Sequence, residues 1–203
     1  LNQSIKDPIL RAKLTPNYPL GCKRILISND YYAALAQPHV KVVTDSITEV
    51  TATGSTTSDG QQHSIDAIIY GTGFQATDFL APMKITGRAG QDLNQVWRDG
   101  AEAYLGMTVS GFPNLFLLYG PNTNLGHNSI LYMLESQFAY ILAALQYMKA
   151  KKWQFVDVKA QVQGRYNRWV QKQLNNTIWA AGCSSWYKTE SGKNTNNWVG
   201  FTL

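Results

Sequence analysis

Two adjacent cations, Lys23 and Arg24, stand at the mouth of a short apolar run, Ile25-Leu26-Ile27-Ser28. Arginine presents a planar fork of donors and lysine a point charge, so the pair can hold an anion; the same two residues can equally form a solvated strand edge. A second feature is Gly71-Thr72-Gly73-Phe74, where two glycines after a β-branched run let a backbone or a ligand approach closely. A third is Gly120-Pro121-Asn122-Thr123-Asn124-Leu125-Gly126, a loop that ends one apolar run and precedes a long helix starting near Asn128 or Ser129. The first turn of that helix carries no acidic residue, so its unpaired N–H groups and partial positive charge face whatever lies before the loop. A helix end of this kind suits an electron-rich ligand, although a strand–loop–helix unit that only packs has the same pattern.

Other chemistries find less support. His39, His63 and His127 are not grouped with carboxylates or cysteines, which argues against a zinc site, and His127 reads as a loop hydrogen-bonding residue rather than a catalyst. Cys22 and Cys183 are far apart and form no C-x-x-C; reduced thiols in a cytosolic protein are the simplest reading, with one long disulfide as the alternative. The net charge is +5, but the 18 basic residues are scattered with no block of five, a pattern that suits an anionic small molecule such as a nucleotide better than nucleic acid. No G-x-G-x-x-G, Walker loop or G-x-S-x-G occurs, so the pyrophosphate turns of a dinucleotide enzyme would lie outside these 203 residues. No apolar run reaches membrane-spanning length, and the chain opens at Leu1 in polar, loop-like sequence, as a piece of something longer would.

The elements that must position these residues follow from periodicity and punctuation. Residues 1–21 read as irregular, broken by Pro8, Pro16 and Pro19. Ile25–Ser28 and Val40–Thr44 read as short strands, with a helix Tyr31–Ala36 between them, capped by Asn29 or Asp30 and ended before Pro38. Ile47–Ala52 and Gln62–Ile65 flank a Gly/Ser/Thr-rich turn, predicting a hairpin or small β-meander. Ile65–Tyr70 has the continuous β-branched character of a buried parallel strand. Residues 75–110 read as loop-rich with a lone Trp97. Leu115–Tyr119 follows the turn signal Phe112-Pro113-Asn114 and reads as a buried strand. In the long helix behind it, Ile130, Leu134, Phe138, Ile141, Leu145 and Met148 form one core-facing stripe, with Lys149, Lys151 and Lys152 at its end. Trp153–Val158 reads as a strand and Ala160–Asn175 as a second helix carrying Val162, Tyr166, Trp169 and Val170. The tail from Thr177 is dense in aromatics that wrap a core or stack on a ligand.

Three stretches in this order resemble one family: Tyr18-Pro19-Leu20-Gly21-Cys22-Lys23-Arg24 with Asp30-Tyr31-Tyr32; Asp66-Ala67-Ile68-Ile69-Tyr70-Gly71-Thr72-Gly73-Phe74; and Gly111-Phe112-Pro113-Asn114-Leu115-Phe116 running into Gly120-Pro121-Asn122-Thr123. With the late Ser184-Ser185-Trp186-Tyr187, they resemble the C-terminal part of a class B flavoprotein monooxygenase of the Baeyer–Villiger type, such as the 4-hydroxyacetophenone and cyclohexanone monooxygenases. The resemblance implies an α/β fold with two Rossmann-like dinucleotide-binding domains, one for FAD and one for NADPH, the second inserted into the first. Residues 1–65 would end the NADPH-binding domain and residues 66–203 would form the C-terminal half of the FAD-binding domain. Lys23 matches the lysine that reads the 2′-phosphate of NADPH. Arg24 matches the active-site arginine that stabilises the anionic C4a-peroxyflavin. Gly71, Thr72 and Gly73 match an interdomain A-T-G linker, with glycine in place of alanine at Gly71. Asn122, Thr123, Asn124 and Gly126 match the segment beside the flavin's pyrimidine edge, and Trp186 a tryptophan against the NADP ribose. The implied reaction uses O2 to insert one oxygen atom into a ketone, giving an ester or lactone. N- or S-oxygenation on the same scaffold is the alternative, and a catalytically inert piece that folds and pairs with a second copy through an open sheet edge is another.

Overall fold

A computed structural model of the protein describes residues 1, 3–126 and 128–201. His127 therefore lies outside the described residues. Contacts divide the chain into two compact units: residues 1–17 with 25–74, and residues 18–24 with 75–203. The short stretch Tyr18–Arg24 thus belongs with the downstream unit, although its sequence neighbours on both sides belong to the other.

In the first unit, Pro8 starts a helix rather than breaking one. Helix α1, Pro8–Leu14, places proline at its first position, where the missing N–H costs nothing, and the Asp7 carboxylate accepts from the Ile9 N–H at 2.9 Å. Helix α2, Tyr31–Leu35, is entered through Ser28, whose Oγ accepts from the Tyr31 N–H at 3.1 Å and donates to Asp30 at 2.7 Å. The expected meander is present as three antiparallel strands, β1 (Ile47–Thr51), β2 (Gly54–Thr57) and β3 (Gln62–Ser64), in the order β1-β2-β3. The Gly/Ser/Thr-rich stretch is therefore not all turn, because Gly54–Thr57 supplies the middle strand.

The expected strands at 25–28, 40–44 and 65–70 form no ladder among the described residues. A strand exists only as half of a hydrogen-bonded pair, and these runs have no partner here. Their apolar side chains stand in the open, with Ile27 97% and Ile69 95% exposed. The β-branched composition remains that of strands built to be covered.

The second unit is organised around a cluster that the sequence reading passed over as loop. Leu93, Trp97, Ala101, Ala103, Val109, Phe112 and Leu117 pack together, with Phe79, Leu80, Ile85 and Leu115 against them. Trp97 is its anchor: its ring is buried, and its Nε1–H donates to the Glu102 carbonyl at 3.0 Å. The short helix α3, Leu93–Val96, carries it there, capped by Asp92.

Leu115–Tyr119 and Trp153–Val158 are not strands either. Side chains take over the role of the ladder. Asn114, at φ +60, receives the Val156 N–H on Oδ1 at 3.1 Å, donates from Nδ2 to the Gln154 carbonyl at 3.1 Å, and gives its own N–H to the Val156 carbonyl at 3.0 Å. Two long helices follow, α4 (Ile130–Lys151) and α5 (Ala160–Leu174). Ser129 caps α4 by accepting from the Leu131 N–H at 3.2 Å, and Lys152 ends it in the left-handed region at φ 55.

The apolar stripe expected on α4 holds in part: Ile130, Leu134, Ile141 and Met148 are half-buried. Met133 and Gln137 are its buried residues, whereas Phe138 and Leu145 are 53% and 47% exposed. The helix is apolar nearly all round, so periodicity alone could not fully select the covered face. Among the described residues no helix is long and apolar enough to cross a membrane. On α5, Val170 is buried as expected, joined by Asn167 and Leu174, while Trp169 is 47% exposed.

Candidate functional site

Three stretches of the second unit meet around the loop Gly120–Gly126: the aromatic segment 178–187, the tail 194–198 and α4 through Gln137; the strip Tyr18–Arg24 joins the aromatic segment through the Cys22–Cys183 disulfide. The loop is clamped to the tail by backbone pairing. The Asn122 N–H donates to the Thr195 carbonyl (2.8 Å), the Asn124 N–H to the Asn196 carbonyl (2.9 Å), and the Trp198 N–H to the Asn124 carbonyl (2.9 Å). Side chains reinforce it. Asn122 Nδ2 donates to the carbonyls of Asn194 (2.9 Å) and Asn197 (3.2 Å), while Thr123 Oγ1 donates to the Gly120 carbonyl (2.7 Å). Asn122, Thr123, Asn124, Asn194, Thr195, Asn196 and Asn197 are all buried. Most polar groups of this cluster are met by one another, as burial away from water requires.

On its other side the loop rests on a glycine. Gly106 sits at φ +68, and a β-carbon there would run into Thr123 Cγ2 and come within 2.9 Å of the Pro121 carbonyl oxygen. Only glycine permits both the backbone conformation and the approach. Before the loop, Tyr119 at φ +55 gives its N–H to Gln137 Oε1 (3.0 Å) and its hydroxyl to Asn124 Oδ1 (2.7 Å). This explains the buried glutamine on an apolar helix: Gln137 fixes the chain entering the loop.

Lys23 and Arg24 are both exposed and, among the described residues, neither forms an ion pair. Lys23 Nζ lies 4.6 Å from the centroid of the Tyr18 ring. Arg24 is close enough to Tyr187 to act on it electrostatically. Burial pushes the Tyr187 hydroxyl above its ordinary value, the Arg24 charge pulls it back, and Tyr119 adds to the rise. Arg24, Tyr187, Tyr119 and Asn124 therefore share one neighbourhood. Trp186 is 44% exposed and lies tilted on Tyr187, ring centroids 4.4 Å apart; Trp179 meets the same ring edge-on at 6.3 Å and approaches Gly126.

The cysteines correct the sequence reading. Cys22 and Cys183 form a disulfide, so they are not free thiols, and Cys22 is fully buried. Distance along the chain concealed the pairing, since the partners stand 161 residues apart. Gly71, Thr72 and Gly73 belong to the first unit and are exposed; a β-carbon on Gly71 would meet nothing, so the alanine of the motif that it resembles would fit there.

The sequence reading missed Tyr119, Gln137, Tyr187 and the tail Asn194-Thr195-Asn196-Asn197. The one available signal was the run of three asparagines within four residues, a density that suits side chains bonding to backbone.

Does this arrangement fit a flavin and a phosphorylated nucleotide? Asn122 Oδ1, Asn124 Nδ2, Asn197 Nδ2 and Trp198 Nε1 are buried without a hydrogen-bond partner, and all four lie in the loop–tail clamp. The unmet amide donor of Asn124 suits an acceptor on the pyrimidine edge of a flavin. Two exposed, unpaired cations suit a phosphate. The chain offers no G-x-G-x-x-G for the pyrophosphate of FAD, so the fit covers the flavin end alone.

Comparison with known proteins bears on the family and the fold. No protein-family profile matches the chain. Across its whole length it is 50% identical to a Baeyer–Villiger monooxygenase of Pseudomonas aeruginosa and 42% identical to one of Streptomyces coelicolor, covering 39% of each. Over 94% of its length it is 47% identical to the FAD-binding monooxygenase ktnD of Aspergillus niger, covering 32% of that protein. Among solved structures, OTEMO in complex with FAD and NADP superposes with a TM-score of 0.88 at 29% identity, over 98% of this chain and 38% of that one. Cyclohexanone monooxygenase from Rhodococcus, bound to NADP+, gives 0.85 at 28%, over 97% and 38%. The chain thus spans about two fifths or less of the length of the relatives it matches, and its fold is that of the corresponding part of OTEMO, solved with FAD and NADP, and of cyclohexanone monooxygenase, solved with NADP+.

Proposed function

Since the chain belongs to the Baeyer–Villiger monooxygenase family, we propose that it supplies the nicotinamide-side cations and the flavin-edge loop of an enzyme that inserts one oxygen atom of O2 into a ketone. Residues 1–65 would close an NADPH-binding domain and residues 66–203 would complete an FAD-binding domain, with Gly71, Thr72 and Gly73 at the crossing. FAD reduced by NADPH supplies the oxygen-activating chemistry when bound, and the protein supplies placement and charge.

In this reading Lys23 meets the 2′-phosphate of NADPH as a point charge. Arg24 carries a permanent positive charge beside the flavin, where it stabilises negative charge that develops during the reaction and holds the nicotinamide. Trp186, half exposed beside Arg24's neighbour Tyr187, offers a flat face to the NADP ribose. The Gly120–Gly126 loop meets the flavin's pyrimidine edge through Asn124, Gly126 and backbone. Asn122 and Thr123 already spend side-chain groups on internal bonds and act mainly by holding the loop's shape. The clamp also keeps water out of that side of the site.

The observation that supports the reading is that the exposed Lys23–Arg24 pair belongs to the same unit as a Gly/Asn loop whose buried amides lack partners, with Tyr187 acted on by both Arg24 and Tyr119. The test is a titration of the purified protein with FAD, followed by addition of NADPH, O2 and a ketone panel. Flavin absorbance at about 450 nm that stays with the protein, and ester or lactone formation that disappears in Arg24→Ala while flavin is retained, are the expected results. Undiminished ketone conversion by Arg24→Ala would remove the role of Arg24.

A further inference from the structure

The strip Tyr18–Arg24 is the only stretch before Gln75 that belongs to the second unit. Among the described residues no hydrogen bond ties it to the rest of that unit; its one backbone bond, Cys22 N–H to the Pro19 carbonyl at 3.2 Å, is internal. Its attachment consists of the Cys22–Cys183 disulfide, packing around the fully buried Cys22, and the Arg24 charge near Tyr187. Cys22 immediately precedes Lys23, and Cys183 stands three residues before Trp186. The covalent link therefore joins the two short segments that carry the dibasic pair and the half-exposed tryptophan.

We propose that the Cys22–Cys183 disulfide is the positioning element of this site: it holds Lys23 and Arg24 beside Trp186 and Tyr187, and its reduction releases them. The step is a thiol–disulfide exchange. A dithiol reductant gives up two electrons and two protons, its own sulfurs pair, and Cys22 and Cys183 become thiols. With the link opened, the strip keeps the packing of Cys22 and the Arg24 charge near Tyr187 but no hydrogen bond to the rest of the unit, and a segment held in this way opens locally at lower cost than one also held by a covalent link. The consequence for NADPH rests on the 2′-phosphate role proposed for Lys23. A charged hydrogen bond of about 1.5–3 kcal/mol corresponds to roughly tenfold or more in affinity, so releasing Lys23 weakens NADPH by about that factor and leaves NADH, which lacks the phosphate, little changed.

The experiment uses the protein before and after treatment with dithiothreitol, and again after reoxidation. Thiols are counted, trypsin cleavage after Lys23 and Arg24 is timed by mass spectrometry, and NADPH and NADH affinities are measured. The proposal expects no titratable thiol before reduction and two after, cleavage several-fold faster in the reduced protein, a loss of roughly tenfold for NADPH alone, and recovery on reoxidation. Cys22→Ser should behave as the permanently reduced form and ignore dithiothreitol; if that variant does not fold, the reversible series on the native protein decides alone. Free thiols in the untreated protein, or cleavage indifferent to reduction, would overturn the proposal. Redox-dependent cleavage together with equal losses for NADPH and NADH would support the tether and remove the 2′-phosphate role of Lys23.

Discussion

Replacing Gly106 with alanine tests how the candidate loop is seated. The site imposes two separate penalties. At φ +68 an alanine occupies the left-handed region, which costs about 1–2 kcal/mol. Its methyl group also collides with Thr123 and presses on the Pro121 carbonyl, and crowding of a closed contact adds about 1–3 kcal/mol. The sum is about 2–5 kcal/mol, which at a urea sensitivity of roughly 1–3 kcal/mol per molar moves the unfolding midpoint down by on the order of 1–2 M. Gly90→Ala is the matched control, since Gly90 has φ +77 but nothing within 4 Å of an added methyl. It isolates the backbone term, about 1–2 kcal/mol. Gly71→Ala has neither penalty and should be neutral. The assay is urea unfolding followed by circular dichroism and tryptophan fluorescence. Because Thr123 lies in the loop, flavin affinity should fall in Gly106→Ala and stay unchanged in Gly90→Ala. A Gly106→Ala midpoint no lower than that of Gly90→Ala would refute the close seating of the loop on Gly106.

Other expectations follow from single contacts. Asn122→Ala leaves the Asn197 carbonyl unmet in a buried place and takes one of two donors from the Asn194 carbonyl, which keeps Gln171 Nε2 at 2.9 Å, so it should lower stability by about 1–3 kcal/mol in the same assay, more than substitution of an exposed asparagine. Lys193 Nζ pairs with Glu102 at 2.7 Å and also reaches the Gly100 carbonyl at 3.1 Å, so Lys193→Met should cost about 1–2 kcal/mol, and high salt should only partly reproduce the loss. Burial, and then the neighbouring Tyr104, raise the Tyr166 hydroxyl well above its ordinary value. A raised pKa means that the fold favours the protonated form. Its contribution is fully present below the unfolded-state value of about 10 and is lost as pH climbs toward the folded value. Stability should therefore decline above pH about 10, and Tyr166→Phe should flatten that decline without loss at neutral pH, since the hydroxyl has no partner. Alkaline melts of both proteins check this.

What the sequence made legible were the features encoded locally. The two long helices, the start of α4 at Ser129 and the β-meander follow from apolar spacing, a capping serine and turn residues, all readable within a few positions. The five runs expected as strands were legible as apolar segments but not as strands, because a ladder depends on a partner that local composition cannot supply; Ile27 and Ile69 stand almost fully exposed for that reason. The covered face of α4 was partly hidden by its own uniformity. Gln137 is buried because Tyr119 needs an acceptor, a requirement written outside the helix. At the site, Lys23, Arg24, Asn122, Asn124 and Trp186 could be picked out by type and context. Their supports could not: the tail pairing of Asn194–Asn197 and the disulfide join positions more than seventy and more than one hundred and fifty residues apart, and nothing local marks such partners.

The most direct test of the proposed nucleotide site compares NADPH with NADH in the native protein and in Lys23→Ala. Lys23 is exposed and forms no ion pair among the described residues, so its removal should disturb the fold little. The account predicts that the native protein binds NADPH more tightly and that Lys23→Ala loses roughly tenfold for NADPH with NADH unchanged. Equal weakening of both nucleotides, or no weakening of either, would contradict it.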